Sequence, residues 1–431
     1  MIQPSADRLA LLYRISQTFN SSLDLGEVMN RVMDEVIAAT RAERGFLMLR
    51  EADGTLLFRA ARGMDHRTID APEFQVSRGV VERVAREGRP QLTSDAQSDA
   101  WLGGRASVMG LGLRSVLCVP LQLKGATLGV VYVDNRLQAG IFTPADLDLL
   151  TAIASSAAVA IDNARLYQVA VEKGRMEREL QVAREVQASL LPRETPQIAG
   201  WEFAAQWQPA REVAGDFYDF LEVSRGGAHA ADAPGMGARP AVLGLVIADV
   251  SDKGMPAALF MALSRSIVRA SLIGASSVAD GIARANRLIC ADAANGMFVT
   301  LFYAQIDSET GELTYVNAGH NPPLLYRADR SELVTLTRTG MALGFFDTAG
   351  FEQGAARLDS GDFVVLYTDG VTEAMDAQHQ EFGEERLRRV ILDNRRATAA
   401  EMAAALERAL ADFIGPTTPS DDITFVIARR A

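Results

Sequence analysis

Four short acidic stretches in the C-terminal half carry the residues most able to do chemistry. They are Gly215-Asp216-Phe217-Tyr218-Asp219, Ala248-Asp249-Val250-Ser251-Asp252-Lys253-Gly254, Tyr367-Thr368-Asp369-Gly370 and Ser420-Asp421-Asp422-Ile423-Thr424. Three of the four follow or abut runs of Val, Ile, Leu and Phe that read as buried strands, so the aspartates sit where strands end or begin. Carboxylates gathered at strand ends without a matching basic cluster repel one another, and a hard divalent cation bound by oxygen ligands removes that cost. The chemistry indicated is hydrolysis assisted by two metal ions. No Cys or Ser nucleophile motif and no Cys/His metal pattern competes with it.

The elements that must position these aspartates follow from patterning. Trp201 to Trp207 alternates as a strand, Asp216 to Val223 is a second, and Val242 to Val250 is nearly continuous and apolar, as in a strand buried on both faces. Ser224 to Pro240, rich in Gly, Ala and Pro, is expected to be a mobile loop. Helices are expected over Pro256–Leu272 and Ser277–Ala291, and a hairpin joins Phe298–Asp307 to Glu312–Asn317 over Glu309-Thr310-Gly311. Further strands read over Leu324–Arg327, Glu332–Leu336, Asp362–Thr368 and Ile423–Arg429, with helices near Glu384–Asp393 and Ala399–Phe413 between the last two. The count fits two sheets packed face to face and flanked by helices.

The N-terminal half is built differently. Leu9, Leu12, Ile15 and Phe19 share one helical face, and Asp24 is placed to cap a second helix whose Val28, Met29, Val32, Val36 and Ile37 recur at helical spacing. Strands follow over Gly45–Leu49 and Leu56–Phe58 around the Asp53-Gly54 turn, then a short helix from a Ser77 cap to Gly88. A second hairpin pairs Ser115–Leu123 with Thr127–Asp134 around Lys124-Gly125, and Thr143-Pro144-Ala145-Asp146 starts a helix. This half resembles a GAF domain. The resemblance rests on Arg114–Leu121, Gly129–Asn135, Phe142–Leu147 and Ala160–Tyr167 and spans roughly residues 5 to 165. It implies a sensor fold but names no ligand: GAF domains bind cyclic nucleotides, tetrapyrroles, haem or small metabolites, and some bind nothing. Asn135, Phe142 and Asp146 partly echo a cyclic-nucleotide motif, while Cys118 lies in an apolar strand and reads as a buried small hydrophobe.

Between the halves, helical patterning runs from Thr143 almost to Pro192. Leu166, Val169, Lys173, Met176, Leu180, Ala183, Gln187 and Leu190 alternate spacings of three and four, an a/d seam with polar members at Lys173 and Gln187. Charges crowd the other faces, which favours a parallel homodimer through this linker; the alternative is one amphipathic helix packed on its own domain. The expected division is residues 1–163, a linker helix over 164–195 and a third segment over 196–431.

The chain has 431 residues, more than one core usually serves. Its net charge of −12 disfavours nucleic acid and anionic membrane as partners. The two isolated cysteines suit a reducing cytoplasm. The longest apolar stretch, around Ala152–Ile161, is broken by Ser155 and Ser156 and reads as too short to span a membrane; a soluble, cytoplasmic protein is expected.

The C-terminal motifs, with Pro209–Asp219, Asp249–Ala258, Asn317–Pro323, Tyr367–Val371 and Asp421–Thr424 in that order, resemble the SpoIIE-like branch of the PPM-type metal-dependent Ser/Thr protein phosphatases over about residues 180 to 429. The fold expected of the whole is α+β: an N-terminal GAF sheet with flanking helices, a helical coiled-coil linker and a C-terminal αββα sandwich. The resemblance implies two divalent cations, Mn2+ or Mg2+. It implies that Asp249 bridges them with the Val250 carbonyl also ligating, that Asp369 and Asp422 complete one metal, and that Asp216 serves the other. It implies a phosphoprotein substrate, typically an anti-anti-sigma (STAS) protein of a partner-switching pathway, with the GAF domain as sensor. Arg211 stands where some relatives place a phosphate-binding Arg, or it forms a surface salt bridge. His320 and Asn321 sit in a Gly-His-Asn-Pro-Pro turn, with a structural or an acid role. Lys253 orients substrate or is solvated. Ala214 and Asp252 stand where the family commonly has Gly. Two rivals are a non-catalytic pseudophosphatase, against which the intact aspartates argue, and a GAF-linked nucleotide cyclase, in which the later acidic motifs have no place.

Overall fold

Contacts divide the chain into two units, Met1–Arg175 and Met176–Ala431. The computed structural model describes residues 4–19, 21–71, 76–97, 111–223, 242–293 and 296–431. The loop expected over 224–240 lies outside the described residues.

In the N-terminal unit, strands β1 (Arg44–Arg50), β2 (Leu56–Gly63), β3 (Gln91–Thr93), β4 (Ser115–Leu123) and β5 (Ala126–Asn135) form an antiparallel sheet in the order β2-β1-β5-β4-β3. Alternation along the strands gives it two apolar faces. Leu47, Leu117, Val119, Val131 and Val133 pack with the helix Leu25–Thr40 and the start of the long helix. Phe46, Met48, Val116, Cys118 and Tyr132 pack with the helix Arg78–Glu87. Asp24 caps as expected, accepting from the Glu27 N–H at 2.7 Å. Ser77 occupies its cap position, but its hydroxyl makes no cap bond. Lys124 and Gly125 turn the hairpin with φ of 50° and 84°. The three residues that echo a cyclic-nucleotide motif have local work. Asn135 accepts two turn N–H bonds, Phe142 is core, and Asp146 and Thr143 exchange cap bonds. Cys118 is fully buried and its thiol pKa is pushed up by desolvation.

One helix, Pro144–Leu190, covers the expected helical run in 47 residues. Its early turns bury Leu150, Ile153, Ala154, Ala157 and Ile161 in the N-terminal core. By length and composition one stretch reaches the hydropathy of a membrane span, mean hydropathy 1.4, which corrects the expectation that no stretch would; 39% of that window is buried. Seam residues Leu166, Val169 and Met176 are exposed. Gln187 departs from the seam expected of it: it is buried against the C-terminal unit, because its amide satisfies backbone groups there.

That unit stacks two antiparallel five-stranded sheets. The strands are β6 (Trp201–Gln208), β7 (Phe217–Val223), β8 (Val242–Val250), β9 (Val299–Asp307), β10 (Glu312–Ala318), β11 (Leu324–Arg327), β12 (Glu332–Thr335), β13 (Gly354–Arg357), β14 (Phe363–Tyr367) and β15 (Ile423–Arg430). One sheet runs β13-β10-β9-β8-β7 and the other β12-β11-β14-β15-β6. Leu243, Leu245, Ile247, Val364, Leu366 and Val426 fill the space between the sheets. The opposite residues of the same strands meet helices: Val246, Ala248 and Val250 pack with Met255–Leu272 and Val278–Asp292, and Phe363, Val365 and Phe425 with Gly383–Asp393 and Ala399–Ile414. The layers are therefore helix, sheet, sheet, helix. The short β3 and β13, not expected from patterning, are three and four residues long.

Candidate metal centre

Strand alternation delivers the acidic residues to one place. On β8 the inward positions Leu243, Leu245 and Ile247 are followed by Asp249. On β14 the inward series Val364, Leu366 ends at Thr368. On β15 the inward Val426 and Ala428 count back to Thr424 and Asp422, and on β7 Tyr218 and Phe220 count back to Asp216. Both sheets thus present their acids at the same end of the sandwich. Asp369, one residue past Thr368, opens the short helix Asp369–Thr372.

Hydrogen bonds fix the arrangement. Asp216 is 2% exposed; its Oδ2 accepts from the Thr368 hydroxyl at 2.7 Å and its carbonyl from Trp207 Nε1 at 2.9 Å. Asp422 accepts the Ala210 N–H on Oδ1 and the Gly215 N–H on Oδ2, both at 2.8 Å. The loop bearing Arg211 therefore wraps one carboxylate. Close approach explains two glycines: a Cβ on Gly370 would lie 2.0 Å from the Asp422 carbonyl oxygen, and one on Gly215 3.1 Å from that of Val250. Asp252 has φ 71°, a left-handed position that Asp tolerates and that accounts for the Gly common there in the family.

The carboxylates hold one another's protons. Burial raises the Asp216 pKa well above the usual range, and the charges of Asp249 and Asp422 raise it further. Asp249 is pushed up to about 8, by burial first and then by Asp369 and Asp421. Asp369 rises through burial and Asp421. Asp422 rises through burial, opposed by its bonds to Ala210 and Gly215. The Thr424 hydroxyl lies beside Asp216 yet makes no hydrogen bond of good geometry, a buried orphan. Buried oxygen donors that resist joint ionisation, with an orphan hydroxyl among them, fit hard divalent cations. Among the described residues no group of three or more such side chains stands close enough together to hold a metal ion.

The secondary candidates separate. Arg211 is exposed. Lys253 pairs with Asp421 at 2.8 Å and donates to the Ser420 carbonyl at 3.0 Å, so it is not simply solvated. Asn321 is half-buried. His320 is fully buried; its Nδ1 shares a hydrogen bond with the Thr300 hydroxyl at 2.8 Å, and its backbone N–H donates to Asn317 Oδ1. Its Nε2 lies near the Tyr367 carbonyl without a good hydrogen bond. Burial pushes the His320 pKa down to about 3. Protonation therefore favours the unfolded chain, and the stability this group confers above its ordinary pKa is lost as pH falls from about 6.5 toward 3. His320→Gln should flatten that acid limb, read as melting temperature between pH 7 and pH 4; equal slopes for both proteins would refute a buried neutral imidazole.

Three contributors have no site role in the sequence reading: Thr368 and Asp421, which lie within the acidic motifs, and Gln187, which reads as a polar seam residue. Gln187 Nε2 donates to the carbonyls of Ala214 (2.9 Å) and Ala258 (3.2 Å), and its Oε1 accepts the Ala214 N–H at 3.1 Å. Its one sequence signal is a polar amide at a seam position, a signal shared with Lys173. Gln187→Leu leaves those backbone groups unpaired and is expected to cost roughly 2–4 kcal/mol, measured as a shift in urea midpoint; no shift would show that water replaces the amide.

Comparison with known proteins now bears on this geometry. Residues 22–162 match the family described as GAF domain, and residues 239–431 the family described as Stage II sporulation protein E (SpoIIE). Protein IcfG of Synechocystis sp. is 30% identical over 280 residues, 58% of this chain and 41% of that protein. The phosphoserine phosphatase RsbU of Bacillus subtilis is 27% identical over 255 residues, 58% of this chain and 70% of that protein. The chain thus spans less than half the length of the first of these relatives. Among solved structures, the SiaA-PP2C domain of Pseudomonas aeruginosa superposes with a TM-score of 0.51 at 20% identity, covering 61% of this chain and 99% of that domain, a likeness of fold.

Proposed function

We propose, from the match of residues 22–162 to the GAF domain and of residues 239–431 to SpoIIE, that the chain is a signal-regulated, metal-dependent phosphatase of phosphoserine or phosphothreonine proteins. The observation that carries the reading is the convergence of Asp216, Asp249, Asp369 and Asp422 from two sheets, with burial and mutual charge raising their pKa values. Asp249 and the Val250 carbonyl, with Asp369, Asp422 and Asp216, would hold the divalent cations, Asp249 at the centre of the set. Divalent cations at such a site acidify a water and offset charge on a phosphoryl group during in-line attack.

The chain's own residues do the rest. Thr368 holds Oδ2 of Asp216 and so sets the orientation of that carboxylate beside Asp249. Ala210 and Gly215 fix the plane of Asp422. Arg211, exposed on the loop between them, is available for phosphoryl oxygens. Lys253 sets the position of Asp421 at the rim. The reading predicts hydrolysis of p-nitrophenyl phosphate with manganese or magnesium and its loss on chelation. Hydrolysis that survives the chelator, or none with either ion, would end it.

The substrate we propose is a STAS-type anti-anti-sigma protein. RsbU, a phosphoserine phosphatase by name, supports the phosphoserine class. The GAF domain is proposed as sensor of a small molecule. The exposed seam residues Leu166, Val169 and Met176 support a homodimer through the linker. Phosphoprotein profiling with the purified enzyme, with and without an Asp249 change, tests the substrate.

A further inference from the structure

Beside the acidic cluster lies an apolar surface that the chemistry above does not use. Phe345 is 50% exposed, Phe346 61% and Met341 39%. The segment from Gly340 to Phe346 contains no charged residue. Large apolar side chains scattered singly over a surface are ordinary, but three within six residues beside a candidate active site form a patch of the kind that marks binding.

The patch is joined to the site through backbone. Ser251, two residues past Asp249, donates its N–H to the Phe298 carbonyl and accepts the Phe298 N–H on its hydroxyl, each at 2.9 Å. The Phe345 ring stacks on Phe298 with centroids 4.6 Å apart and planes at 25°. The patch is also held rigidly. Val299 and Leu343 exchange backbone bonds at 2.9 and 2.8 Å. Asn286, fully buried, donates to the Phe346 carbonyl at 2.7 Å and accepts the Gly344 N–H at 3.0 Å. Gly344 has φ 99°, and a Cβ there would sit 3.1 Å from the Met297 carbonyl oxygen. A loop pinned this firmly holds the two phenylalanine rings half-exposed among the described residues, as a preformed surface for a binding partner.

We propose that Phe345 and Phe346, with Met341, form a docking platform for a hydrophobic side chain that flanks the phosphorylated residue of the protein substrate. The inference rests on the phosphatase reading and names what that site prefers. A phosphorylated side chain placed at Asp249 lays its neighbours over Ser251, Phe298 and Phe345, and an extended peptide advances about 3.3–3.6 Å per residue, so residues roughly two to four positions away reach the rings. Charge points the same way: the acidic cluster and a net charge of −12 repel acidic flanks, while apolar flanks gain contact with exposed rings.

The test uses the full-length protein, an oriented phosphoserine peptide library and p-nitrophenyl phosphate. The wild type should favour Leu, Ile, Met or Phe at a flanking position over Ser by about 10- to 100-fold in kcat/KM. Phe345→Ser combined with Phe346→Ser should bring that ratio close to one, and Phe345→Leu with Phe346→Leu should retain most of it. The ratio is taken within each protein, so a loss of folded enzyme does not imitate the effect. Absence of an apolar preference in the wild type, or its survival in the double serine variant, overturns the platform. Failure of the wild type to hydrolyse the aryl phosphate would instead overturn the phosphatase reading.

Discussion

Asp249→Asn is expected to reduce manganese-dependent hydrolysis of p-nitrophenyl phosphate by about 10^3-fold or more, while raising the melting temperature of the protein in chelator. The two effects have one cause. Asp249 stands where the charges of Asp369, Asp421 and Asp422 add, and burial strips the solvent that would screen them. Without a cation, its charge and theirs are a cost to the fold, which an uncharged side chain of the same shape relieves by about 1–3 kcal/mol. With a cation, the same charge is a ligand that an amide replaces poorly. The wild type should therefore gain melting temperature on adding manganese, and the variant should not. Hydrolysis that survives the change would remove Asp249 from the centre, and a lower melting temperature in chelator would show that the carboxylates do not strain the fold.

Gly370→Ala is expected to cost about 1–3 kcal/mol of stability and most of the activity. The added Cβ would meet the Asp422 carbonyl oxygen at 2.0 Å, its carbon at 2.9 Å and the Asp421 Cβ at 3.3 Å. The nearest of these atoms are the backbone that leads into β15, not the end of a flexible side chain. The turn carrying Asp369 and the segment carrying Asp422 must therefore separate, and these are the two residues assigned to one cation. Gly174→Ala supplies the contrast: a Cβ there meets nothing within 4 Å on the long helix, and the change should stabilise by up to about 1 kcal/mol. Urea titration and steady-state hydrolysis on both variants decide the matter. Normal activity in Gly370→Ala would mean that Asp369 and Asp422 act independently.

Much of this was legible in the chain because the strands carry strong patterns. The run Val242–Val250 reads as buried on both faces, and the structure gives one face to the neighbouring sheet and the other to helices. Which face carries Asp249 is not legible in so evenly apolar a run; the structure places Leu243, Leu245 and Ile247 between the sheets, and Asp249 continues that face. Thr368 is not legible as a site residue because a threonine at a strand end has many ordinary roles; its bond to Asp216 joins residues 152 apart in sequence. Gln187 was legible as an anomaly but not in its meaning, since a polar seam residue can face a second helix or a distant backbone equally well. The short β3 and β13 carry too few apolar residues to announce themselves; β13 alternates between half-buried and exposed positions. His320 was drawn toward the site by its motif, and only packing shows it sealed beneath Thr300.

The ties at the acidic end have a mechanical consequence. Thr368 to Asp216, Trp207 to the Asp216 carbonyl, and Asp422 to Ala210 and Gly215 all fasten one sheet to the other or to the loop that crosses between them. The place where substrate would react is thus also a latch between the two halves of the sandwich, and the latch is set against the repulsion of its own acids. Any breathing motion that parts the sheets at this end dismantles the ligand set as it begins. Amide exchange at Gly215 and Thr424 should accordingly slow when manganese binds, so that occupancy of the site and tightness of the fold are a single quantity read from the same protons.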